Sequence, residues 1–166
     1  MNTGTSILIV ALKDQLAVFN DLQQLLQEEQ QAIVSLNTAR MEQLNSQKEA
    51  VVARQYKAAD TLRDAIGNLA RQAGAAQART VTELLKKLPK EAADQLAPLQ
   101  KAVQDAGKAV HELAQHNRGL LERFLGTVND SLGFLLRVLN TSNQYGASGT
   151  YTPRSQAGAV MVNREA

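Results

Sequence analysis

The chain has 166 residues, of which 44% are hydrophobic but only 4% aromatic; it holds 25 Ala, 23 Leu and 17 Gln, three Pro, and neither Cys nor Trp. Ala, Leu and Gln lose little rotamer freedom in a helix, whereas strands draw on β-branched and aromatic side chains, so an all-α domain is expected and a β or α/β fold is not. Eighteen basic against 16 acidic residues leave a net charge of +2, too balanced for a nucleic-acid binder, and the lack of Cys removes disulfide scaffolds, thiolate nucleophiles and zinc fingers together.

The first element is long. Between Ser6 and Gly67 there is no Gly or Pro, and Leu8, Leu12, Gln15, Phe19, Leu22, Leu26, Glu29, Ile33 and Leu36 recur at steps of four and three. That spacing makes a heptad seam facing another helix, with Gln15 and Glu29 as its polar members. The apolar run Ile7 to Leu12 is too short for a signal-peptide core and is preceded by no positive residue. No stretch approaches the ~20 apolar residues that cross a bilayer, so a soluble, cytoplasmic protein without membrane insertion is expected.

Near Asn37-Thr38 the seam loses phase, and either residue can cap a new helix. A second seam follows through Met41, Leu44, Lys48, Val51, Gln55, Ala58, Leu62, Ala65 and Leu69. Two seams joined by a short turn form an antiparallel, coiled-coil-like hairpin. With the turn near residue 37, Glu29 falls opposite Lys48, which predicts a register-fixing contact between them, with Glu28 as the rival partner. Gly67 and Gly74 mark the hairpin's end. Thr80-Val81-Thr82-Glu83 has the form of a capping box and starts a short third helix before Pro89. Pro98 must kink the last helix or restart it. That helix is expected to reach about Asn140, giving a helical domain over 1–140 and a disordered tail over 141–166, where Ser, Thr, Gly and Asn abound.

The last helix has more apolar surface than one seam needs. At about 100° per residue, Leu121, Leu125, Val128, Leu132, Leu135 and Leu139 lie within roughly 40° of one line. Leu120, Phe124, Phe134 and Val138 widen the face on one side and Leu136 on the other, to an arc of about 200°, twice that of an ordinary surface helix. Gly119, Gly126 and Gly133 repeat on the opposite face, each costing about 1 kcal/mol relative to Ala. A broad apolar face on a weak helix suits a partner segment. The competing reading is that neighbouring helices cover both faces of a four-helix core, with the glycines allowing close approach.

Catalytic patterns are absent from the sequence. His111-Glu112-Leu113-Ala114-Gln115-His116 has one residue too many for the H-E-x-x-H zinc motif; the two imidazoles point about 140° apart and cannot share a metal. There is no Gly-rich phosphate loop, no G-x-S-x-G elbow and no pair of E-x-x-H units. No catalytic residue, metal site or cofactor is expected.

The segment QQLLQEEQQAIVSLNTARMEQLNSQKEAVVAR (23–54) resembles the N-terminal half of FlgN-type flagellar export chaperones, and HNRGLLERFLGTVNDSLGFLLRVLN (116–140) with Tyr145-Gly146-Ala147-Ser148-Gly149 is similar to that family's last helix and tail. The resemblance does not extend over residues 74–98. It implies a cytoplasmic chaperone that binds the C-terminal helical segments of hook-filament junction proteins and delivers them to the flagellar export gate. It also implies a client face of Leu120, Leu121, Phe124, Leu125, Val128, Leu132, Leu135 and Leu139, and an export-gate contact at Tyr145, with Tyr151 as the rival. The alternative is a structural coiled-coil adaptor or homo-oligomeric scaffold, for which a homodimer would be the simplest form.

Overall fold

The computed structural model describes residues 3–142. Four helices follow one another: α1 (Thr3–Val34), α2 (Thr38–Gln72), α3 (Val81–Leu85) and α4 (Lys90–Ser142). The expected all-helical fold is the observed one. The chain divides into two compact units, residues 1–122 and 123–166, and of the second only the helical residues 123–142 are described.

In the first unit α1 and α2 form the antiparallel hairpin. Leu8, Leu12, Gln15, Leu22, Leu26, Glu29 and Ile33 of the α1 seam are all buried, as are Leu44, Ala65 and Leu69 of α2. Phe19 is half-buried, and one α1 seam residue is exposed. Leu36 is 55% exposed and has φ 55°, because it is the turn residue that ends α1. The Asn37 N–H donates to Ala32 O (2.9 Å) and the Leu36 N–H to Ile33 O (3.1 Å), so the last carbonyls of the helix are satisfied by reversing the chain. Asn37 then caps α2, its Oδ1 accepting the Arg40 N–H at 3.0 Å. The far end of α2 repeats the device. Gly74 has φ 66°, and the Ala75 and Gly74 N–H groups donate to Ala70 O (2.8 Å) and Arg71 O (3.3 Å).

The capping box at α3 is formed. Thr80 Oγ1 accepts the Glu83 N–H at 3.2 Å, and Glu83 Oε2 accepts from the Arg79 and Thr80 N–H groups at 2.7 and 3.4 Å. Those amides, Arg79's foremost, hold the Glu83 carboxyl below the usual glutamate value. The cap therefore contributes fully above the ordinary glutamate pKa and is lost as pH falls through Glu83's lower midpoint. Val81 and Leu84 of α3 join Leu8, Leu12, Ile66, Leu69 and Leu96 in the main core, so the short helix closes the open end of the hairpin.

Pro89 precedes α4 and its carbonyl accepts the Ala92 and Ala93 N–H groups, both at 3.0 Å. Of the two outcomes foreseen at Pro98, a restart does not occur: α4 is assigned as one helix through it. Pro98 and Asp94 are exposed, so the Asp94 carbonyl that loses its donor faces water rather than the core.

The two helix-ending turns make the same demand on their left-handed residue, met by Leu36 at one and Gly74 at the other. Replacing Leu36 by Gly removes a side-chain clash worth about 1 kcal/mol, and replacing Gly74 by Ala introduces one. Urea denaturation should show Leu36→Gly stabilised by up to about 1 kcal/mol and Gly74→Ala destabilised by about as much.

Candidate functional site

Three helices meet at one carboxylate. Glu29 on α1 is 6% exposed; its Oε1 is paired with Lys48 Nζ from α2, and its Oε2 accepts Asn117 Nδ2 from α4 at 2.9 Å. The same amide nitrogen donates to Leu26 O at 2.8 Å. Both amide hydrogens and both carboxylate oxygens are thereby engaged, which fixes their orientations. The contact expected between Glu29 and Lys48 is present, and the rival Glu28 pairs instead with Arg40. A second polar rung joins the hairpin where Gln15 Nε2 donates to Gln55 Oε1.

Asn117 was legible only as part of the Asn117-Arg118-Gly119-Leu120-Leu121 string. Its burial, at 2% exposure, had a signal: Leu96, Leu99, Val103, Val110 and Leu113 make a stripe at helical spacing that places residue 117 on the docking face. Gly107 lies on that stripe too. A Cβ there would stand 3.2 Å from Cε2 of Phe19, so the missing side chain lets the ring lie against the backbone of α4.

These contacts set a register. Gly107 meets Phe19 and Asn117 meets Glu29 at the same separation of 88 residues, so α4 runs parallel to α1 and antiparallel to α2. Carried forward, that register brings residue 122 level with Val34, where α1 ends. The first unit also ends at residue 122.

In the second unit the helix is broadly apolar and open to solvent. Leu125, Val128, Leu132, Phe134, Leu135, Leu136, Val138 and Leu139 are exposed, from 36% at Val128 to 61% at Phe134 and Leu136. Of the eight residues expected to form a client face, Leu125, Val128, Leu132, Leu135 and Leu139 are exposed. Leu120, Leu121 and Phe124 are half-buried. Within the arc, the Thr127 and Ser131 hydroxyls donate to the carbonyls of Arg123 and Thr127 at 3.1 and 2.8 Å, turning their polar ends onto the helix. Apart from the chain neighbours and the surrounding helix backbone, no heavy atom lies within 4 Å of where a Cβ would stand on Gly126 or Gly133. Close helix packing therefore does not account for those two glycines.

His111 and His116 are both exposed, and no cluster of three potential metal ligands occurs among the described residues. No described helix is long and apolar enough to cross a membrane. Tyr145 and Tyr151 lie outside the described residues.

The first unit is thus a helical scaffold joined by buried polar contacts, and the second presents an exposed apolar helix. Comparison with protein families matches residues 1–153 to the one described as FlgN protein, and the chain belongs to that family, a family of flagellar export chaperones. No curated protein and no solved structure matches.

Breaking the buried pair should cost more than removing it. Lys48→Met leaves the Glu29 carboxylate without its cation and should lower stability by about 2–3 kcal/mol, less than for a fully buried pair because Lys48 is partly exposed. Glu29→Leu combined with Lys48→Met should cost less than Lys48→Met alone. Denaturation of the three proteins measures this, and a double variant weaker than the single one would refute it.

Proposed function

We propose that this protein is the cytoplasmic export chaperone for hook-filament junction proteins, and that it shelters their C-terminal helical segments on the apolar face of α4 until they reach the flagellar export gate. The observation that carries the reading is the run of exposed Leu, Val and Phe side chains from Leu125 to Leu139, on a chain that belongs to a chaperone family. Monomeric proteins rarely leave so continuous an apolar surface uncovered unless something binds it.

The mechanism is burial without chemistry. A client helix with its own apolar stripe docks along Leu125, Val128, Leu132 and Leu135, and each fully buried side chain contributes about 1.5–3 kcal/mol before the ordering costs of association. Leu120, Leu121 and Phe124, which the family resemblance also implies as client contacts, are half-buried. Gly126 and Gly133 weaken the helix by about 1 kcal/mol each relative to Ala, so it can adjust its packing to several clients at small cost. Tyr145 is the gate contact in this reading, its ring filling an apolar pocket with the hydroxyl hydrogen-bonded at the rim.

Leu132→Asp with Leu135→Asp should leave the first unit folded and weaken binding of a junction-protein C-terminal fragment by at least about thirtyfold, two hot-spot positions being lost. Size-exclusion chromatography with titration calorimetry reads both. Self-association that ignores the fragment would favour the scaffold reading instead.

Tyr145→Ala should leave fragment binding unchanged while lowering affinity for the cytoplasmic domain of the export gate by about tenfold or more. Unchanged gate affinity would move the assignment to Tyr151 or remove it.

A further inference from the structure

The chain continues for 24 residues past Ser142, and almost all of them are polar or small. The exception is Ala159-Val160-Met161-Val162, four consecutive apolar residues between Gly158 and Asn163. This block lies beyond residue 153, where the match to the FlgN family stops; Tyr145 lies inside the match. The block therefore lies outside the range that the family comparison covers.

We propose that the Ala159–Val162 block occupies the apolar face formed by Leu125, Val128, Leu132 and Leu135 when no client is bound, so that the chain's own terminus competes with the client. The proposal rests on the reading of this face as the client site. Length allows it. Val160 follows Ser142 by 18 residues, which can span up to about 60 Å when extended, whereas Leu125 to Leu135 covers only about 15 Å of helix. Chemistry favours it. In an extended segment Val160 and Val162 point to one side, a short β-branched strip able to lie along a leucine seam, with Thr127 and Ser131 presenting carbon because their hydroxyls are bonded to the helix.

Energetics suit competition rather than a permanent lid. A tethered segment acts at an effective concentration of the order of millimolar, so an intrinsic affinity of a few hundred micromolar is enough to populate the contact. A client that buries several side chains displaces it. The expected result is a modest weakening of client affinity, about two- to tenfold, together with cover for the face while the chaperone is empty.

The chain has no cysteine, so a nitroxide can be placed at Asn163→Cys alone, beside the block and not within it. Methyl NMR of the full chain should show the signals of Leu125, Leu132 and Leu135 broadened by the label and those of Leu8 and Leu69 unaffected, with the effect lost in Val160→Asp/Val162→Asp. No broadening at these three leucines would overturn the proposal. So would broadening that survives the aspartates, or that arises when the label is carried by a separate copy of the chain. Deleting 154–166 should then raise affinity for a junction-protein C-terminal fragment two- to tenfold. An unchanged affinity would end the competitive role. A fragment that binds neither form would instead overturn the client reading, and the relaxation data alone would decide whether the tail contact exists.

Discussion

The first unit is organised around the Glu29 carboxylate, which receives Lys48 from α2 and Asn117 from α4 on its two oxygens. A charge at 6% exposure is tolerated only when its hydrogen-bonding capacity is met, and here three helices must be in the correct register at once to meet it. Leucine seams do not impose such a condition. Sliding one helix by a heptad against another keeps much of the apolar contact, whereas the same slide takes Lys48 or Asn117 away from the Glu29 carboxylate. The polar knot is therefore the element that selects one alignment among several of similar apolar burial.

That alignment also fixes how far α4 is held. Asn117 is bonded to Leu26 and Glu29, and the same register brings residue 122 level with Val34, where α1 ends. The first unit ends at that residue, with Leu120 and Leu121 half-buried at its limit.

Much of this was legible in the sequence, for physical reasons that also explain what was not. The hairpin follows from strict three- and four-residue spacing, and the Glu29–Lys48 contact from two charges interrupting facing seams at matching distances from the turn. Thr80 and Glu83 announced their cap by residue type alone. Leu36 was misplaced because periodicity records hydrophobicity and not φ: its spacing continues the seam, while its backbone has already reversed. The docking of α4 was invisible since the connection from Ala73 to Pro89 is long enough to allow either direction, and only the contacts of Phe19 with Gly107 and Glu29 with Asn117 show it to be parallel to α1. The width of the apolar arc on α4 could be counted from the sequence, but that it faces solvent could not.

The distribution of glycine separates the two demands on α4. Gly107 lies against a neighbour, since a Cβ there would stand 3.2 Å from the Phe19 ring and press on it; the residue serves the fold. Gly126 and Gly133 have nothing near them, and each lowers helix stability without any contact to offset it. Helices that must simply persist do not place glycine at heptad intervals, and Thr127 and Ser131, bonded back onto the carbonyls of the preceding turn, weaken the same segment further. Within one helix, the glycine that touches a neighbour lies in the first unit, and the two that touch none lie among the exposed apolar residues of the second, where each weakens the helix through its backbone freedom.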